Sequence, residues 1–187
     1  LCEGVTLEFV DAGHLLGSAS IAMELTEGDV KKRIVFSGDI GNIKQPIIRD
    51  PVHFRGADYV VMESTYGDRN HTEVWSYTDE LAEIIDETLR KGGNVVIPSF
   101  AVGRTQELLY FIREIKERGL VKGHGDFPVY VDSPLAIEAT TVFLQCDTQF
   151  LDEEMQKTIR SGVNPLVFPG LKLAVSQEGS KAINEDK

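Results

Sequence analysis

Cysteine is scarce in this sequence: 187 residues hold two, Cys2 and Cys146, and no Cys-x-x-Cys pattern. A chain this long does not need a disulfide framework, so a reducing cytoplasm is the expected setting. Long apolar runs are also lacking. No stretch approaches the roughly 20 residues that span a bilayer, and no basic-then-apolar segment opens the chain, so no membrane partner is expected. Positive charge is in deficit, with Lys+Arg 19 against Asp+Glu 30 and a formal net charge of -11. That balance opposes diffuse attraction to phosphate backbones, and any nucleic acid would have to be held in a local groove. Carboxylates gathered for a divalent cation would raise the acidic count in the same way. Neither Gly-x-Gly-x-x-Gly nor Gly-x-x-x-x-Gly-Lys-Ser/Thr occurs, which removes support for dinucleotide and P-loop readings. No internal repeat or low-complexity tract is present. The first residue is Leu1, inside what reads as the approach to a strand, so the sequence reads as an excised piece of a longer protein.

What is present is a 42% hydrophobic chain able to bury one substantial core. Val5 to Val10, Ser20 to Leu25 and Arg33 to Ser37 read as strands of an antiparallel meander, the second alternating Ile21, Met23 and Leu25 against Ala22 and Glu24. Asn42 to Gly56, with Pro46 and Pro51, carries no periodicity. From Asp58 strands and helices alternate: Tyr59 to Met62, a helix over Tyr77 to Lys91, Val95 to Ile97, a helix over Thr105 to Arg118, and Val129 to Val131. The pattern predicts a parallel α/β layout, with these strands side by side and the residues after each gathered on one edge. Leu81, Ile84, Ile85 and Leu89 on the first helix and Leu108, Leu109, Phe111, Ile112 and Ile115 on the second read as ordinary core stripes. Further helices are expected from Leu135 to Gln145, from Asp152 to Arg160 and from Ser176 onward.

Phe36-Ser37-Gly38-Asp39-Ile40-Gly41 ends an apolar run in a small-residue turn that presents one carboxylate. Such a turn suits a metal ligand or a general base, and equally a solvated Asx turn. Its company is a histidine in Asp11-Ala12-Gly13-His14-Leu15-Leu16-Gly17-Ser18-Ala19 and a second carboxylate in Glu63-Ser64-Thr65-Tyr66-Gly67. Ligands bind outside the carboxyl ends of strands in open parallel sheets, which singles out Glu63, Ser99 with Arg104, and Asp132 with Ser133. Ser99 and Ser133 are also natural helix caps, and an open helix start is itself an anion site, so a phosphate near Ser99 and Arg104 is plausible. His53, His71 and His124 read as exposed loop histidines, Asp152-Glu153-Glu154 as a helix start, and Trp75 and Tyr66 as packing more readily than base stacking.

The segments at 11–19, 36–41 and 63–67, with Pro-Ser-Phe-Ala-Val-Gly-Arg-Thr-Gln-Glu-Leu-Leu (98–109) and Val-Asp-Ser-Pro-Leu-Ala (131–136), resemble the β-CASP branch of the metallo-β-lactamase superfamily. That branch includes RNA nucleases of the cleavage-and-polyadenylation and ribonuclease J type. The resemblance implies a three-layer, Rossmann-like parallel-sheet β-CASP domain over residues 58–187, flanked by antiparallel strands of a metallo-β-lactamase αββα domain over 1–57. It implies zinc-dependent hydrolysis of RNA, with two ions in the full-length enzyme. His14 would be a metal ligand, Asp39 a ligand bridging both ions, and Glu63 a catalytic carboxylate. Ser99, Arg104 and Ser133 would bind substrate. The family's His-x-His-x-Asp-His cluster is not in this sequence, nor are its later histidines, so the piece alone is expected to bind zinc poorly and to be inactive. RNA is the expected partner, with a homodimer left open. The alternative is a catalytically silent RNA-binding or scaffold relative. Exo- versus endonuclease mode is not legible.

Overall fold

The computed structural model of the chain describes residues 2–70 and 76–185. His71 and Trp75 therefore lie outside the described residues. The chain divides into two compact units, Leu1–Thr72 with Thr148–Glu154, and Glu73–Asp147 with Met155–Lys187.

In the first unit β1 (Val5–Asp11), β2 (Ala19–Glu27) and β3 (Val30–Phe36) form the expected meander. Gly28, at φ 57°, closes the tight turn between β2 and β3, a conformation that costs other residues strain. β4 (Tyr59–Val61) then pairs in parallel with β3, Ile34 opposite Tyr59 and Phe36 opposite Val61. Asp58 stitches the start of that pairing: its carboxylate accepts from the Arg33 amide at 2.8 Å and from Lys32 Nζ at 3.0 Å, while its own amide donates to the Arg33 carbonyl. The 42–52 loop crosses back over the sheet's end, where the Val52 amide donates to the Asp11 carbonyl. Ile48 pairs with Leu151, beyond the short 3-10 turn Thr148–Phe150.

The expected single parallel sheet does not form among the described residues. Tyr59–Val61 belongs to the β1-β2-β3-β4 sheet, and the chain passes to its second unit near residue 72 rather than at Asp58. Val95–Ile97 has no paired strand among the described residues; Val96 is 85% exposed. A strand is defined by its ladder, and apolar character alone cannot supply one.

The second unit is built on α1 (Tyr77–Arg90) and α2 (Arg104–Glu117). Ser76 caps α1 by accepting from the Asp79 amide, Asp79 and Glu80 complement the dipole, and Gly92 at φ 73° ends it. Ala82 and Ile85 pack with Ile115 and Val121, and Leu81, Leu89, Val95, Leu120 and Phe127 close around them. Ile84 lies outside that stripe, 55% exposed, with Ala82 taking the inner position. β5 (Val129–Val131) pairs in parallel with β6 (Leu171–Leu173), a strand too short to show alternation in the sequence. α3 (Pro134–Gln145), α4 (Glu153–Arg160) and α5 (Gln177–Ile183) complete the elements, α4 with Glu153 and Glu154 in its first turn as expected. Buried Arg113 is satisfied by the Pro165 carbonyl at 3.1 Å, by Glu117 and by the Tyr110 ring. No helix of the described residues is long and apolar enough to cross a membrane.

Candidate active site

Strand directions alone bring three loops to one end of the first sheet. β1 finishes there and β2 begins there, with Asp11 opposite Ala19; β3 and its parallel neighbour β4 both finish there. The loops leaving that end carry His14, Asp39 and Glu63.

The histidine loop is closed by Ser18. Its Oγ accepts from the amides of His14 and Leu15, both at 3.1 Å, and its carbonyl accepts from the Ala12 amide. This leaves the His14 side chain exposed on a fixed backbone. The aspartate loop is fixed on both sides of Asp39. Buried Ser37 donates its amide to the Val61 carbonyl at 2.9 Å, and Ser20 Oγ donates to the Ser37 carbonyl at 2.6 Å. Beyond Asp39, the Gly41 amide donates to the Ala12 carbonyl at 2.9 Å, joining this loop to the one carrying His14. A Cβ at Gly41 would fall 1.6 Å from the Gly13 carbonyl oxygen, so only glycine admits the contact.

Glu63 is half-buried and engaged at both ends. Its amide donates to Ser37 Oγ at 3.1 Å, Oε1 accepts from the Ile40 amide at 2.7 Å, and Oε2 accepts from Thr65 Oγ1 at 2.7 Å. These donors, Thr65 first and Ile40 second, hold the Glu63 carboxyl below the usual glutamate range, with the His14 imidazole adding a smaller electrostatic pull. The carboxylate's acceptor positions are not all taken, so Glu63 can still accept from another group.

The donor chemistry of His14 and Asp39 suits zinc, imidazole and carboxylate both being common ligands, and both side chains are exposed on loops in direct backbone contact. They fit as members of a larger ligand set. Among the described residues no three His, Cys, Asp or Glu side chains are grouped to hold a metal ion.

Ser99, Arg104 and Ser133 lie in the second unit. Ser99 does not cap a helix: Gly103 occupies the cap of α2 at φ 82°, and Ser99 Oγ instead lies 3.0 Å from Thr105 Oγ1. Arg104 opens α2 with its side chain 63% exposed and pairs with Glu107 at 3.5 Å. Ser133 caps α3, its Oγ accepting from the Ala136 amide at 3.2 Å. Its neighbour Asp132 accepts from Ser180 Oγ at 2.9 Å. Sequence reasoning passed over Gln106, which is fully buried. Gln106 accepts from the Gly103 amide and donates to the Ala101 carbonyl and to Thr140 Oγ1, fixing the loop before α2 against α3. The Gly-x-x-Gln spacing at the helix start was the available signal. His53 and His124 are exposed, as expected.

Residues 105–187 match the Beta-Casp domain. The chain is 37% identical to "Ribonuclease TTHA0252" of Thermus thermophilus over 96% of this chain and 39% of that protein. It is 32% identical to "Transcription termination factor FttA" of Methanosarcina mazei, over 98% of this chain and 28% of that protein. With "Endoribonuclease YSH1" of Eremothecium gossypii it shares 29% identity over 90% of this chain and 22% of that protein. Residues 105–187 belong to the Beta-Casp family, and the similarity to these relatives runs over nearly the whole chain. It spans at most 39% of the length of these relatives.

Proposed function

We propose that this chain is part of a zinc-dependent hydrolase that cleaves RNA phosphodiester bonds in the cytoplasm. The observation that carries the reading is the convergence of His14, Asp39 and Glu63 at one end of the first sheet, with the backbones of the His14 and Asp39 loops welded through Gly41 and Ala12. Relatives named as a ribonuclease and an endoribonuclease support the same chemistry. In this reading the first unit belongs to a metallo-β-lactamase core and the second to a three-layer β-CASP domain.

His14 and Asp39 would hold zinc together with ligands from elsewhere in the intact protein, Asp39 being suited to bridge two ions. Zinc, when bound, supplies an activated water for attack on phosphorus and stabilises charge on the phosphoryl oxygens. Glu63 uses a free lone pair to orient a histidine that delivers a proton to the departing ribose oxygen as the phosphorus–oxygen bond breaks. Arg104 contacts phosphate at the start of α2, where a guanidinium and helix amides favour an anion, and Ser99 and Ser133 bind substrate.

The experiment is single-stranded RNA cleavage by the intact protein, stripped with a chelator and then reloaded. Cleavage should vanish on stripping and return with zinc. RNA that is bound but never cut by the zinc-loaded protein would overturn the enzymatic reading in favour of an RNA-binding scaffold.

A further inference from the structure

Asp39 has no rigid element of its own; it sits in a turn with glycines at 38 and 41. Such a turn would leave its carboxylate loosely placed unless something outside the turn held it. The holding group is identifiable. The Glu63 amide binds Ser37 Oγ on one side of Asp39, and the Glu63 carboxylate binds the Ile40 amide on the other, so one residue spans the turn like a staple. Thr65 Oγ1 fixes the second carboxylate oxygen and with it the side-chain orientation. The Ser37 hydroxyl is committed as well, donating to the Gly38 carbonyl at 2.6 Å. Gly41, hydrogen-bonded to Ala12, completes the attachment on the far side.

We propose that Glu63 is a positioning residue for the metal centre: its staple across Ser37 and Ile40 presets the Asp39 carboxylate against the His14 loop before any ion arrives. This rests on the zinc reading above and adds a second duty to Glu63, separable from proton delivery. Glutamine at 63 keeps a carbonyl acceptor for the Ile40 amide and so keeps the staple. Alanine removes it.

The test measures zinc affinity of the intact protein by competition with a chromogenic chelator, beside amide exchange at Ile40. Glu63→Ala should weaken zinc binding by roughly 10–100-fold, the range for residues that orient metal ligands, and should speed Ile40 exchange. Glu63→Gln should leave both near wild type. Should Glu63→Ala not fold, Thr65→Val carries the test, since it removes the hydroxyl donor to Oε2 at an exposed position and should measurably weaken zinc binding. Wild-type zinc affinity in the alanine variant, or in the valine variant where that one carries the test, would overturn the proposal, as would equal losses in the alanine and glutamine variants. A wild-type protein that binds zinc, shows the predicted pattern and yet cuts no RNA would refute the nuclease reading and leave the positioning role standing. A wild-type protein that takes up no zinc would overturn both.

Discussion

At the scale of single residues, the site depends on positions that hold no metal and touch no substrate. Gly41 is one. A methyl group there would overlap the Gly13 carbonyl, so the two loops would have to part. Gly41→Ala is expected to destabilise the protein by about 1–3 kcal/mol, as overpacking does, and to weaken zinc binding in whatever fraction folds. A thermal melt beside a zinc titration checks both, and an unchanged melt would mean that the loops separate at no cost. Arg104→Ala should weaken RNA binding and lower the salt slope by about 1, one phosphate contact having been lost. An unchanged slope would assign Arg104 to its pairing with Glu107 alone. The turns that carry His14, Asp39 and Glu63 were legible because each stands beside glycine or at a strand end. Ser20 and Ser37 were not: their bonds reach 17 and 26 residues along the chain, and no local pattern encodes them.

At the scale of elements, the meander and the two long helices followed the sequence because their periodicity is strong and their caps are conventional. Ile115, at 0% exposure on α2, anchors the cluster with Ala82, Ile85 and Val121. Its replacement by alanine should cost about 2–5 kcal/mol, read as a shift in the denaturation midpoint. A cost well under 1 kcal/mol would show that this unit does not rest on that cluster. What the sequence could not convey was the partner of each short strand. Tyr59–Val61 reads equally well beside Val30–Phe36 or beside Val129–Val131, because three apolar residues fit either ladder, and Asp58 decides the matter by binding the Arg33 backbone. That bond makes a pH prediction. The Arg33 amide, and then Lys32, hold the Asp58 carboxyl below the usual aspartate range. Its contribution is therefore complete above the unfolded value and is lost as pH falls through the lower folded one. Exchange at the Arg33 amide should accelerate only on the acid side of the ordinary aspartate value. The Asp58→Asn variant, which keeps an acceptor without a titrating charge, should lack that step. Acceleration at neutral pH in the wild type would contradict the assignment.

At the scale of the molecule, a chain with a formal charge of -11 is proposed to handle a polyanion, which calls for local binding in a groove rather than diffuse attraction, with cations at the His14 and Asp39 loops serving the cut. The chain by itself supplies too few donors to hold those cations. Dialysed and assayed by elemental analysis, the isolated chain should carry well below one zinc per molecule and cut no RNA; tight stoichiometric zinc would mean that the site is complete within it. The most direct test belongs to the intact protein: single-turnover RNA cleavage by wild type and by Asp39→Ala, with zinc content and RNA affinity measured on the same samples. The account predicts cleavage reduced to background, zinc content lowered and RNA affinity largely kept. Undiminished turnover in a zinc-loaded Asp39→Ala protein would contradict it, and would leave Asp39 an ordinary turn residue.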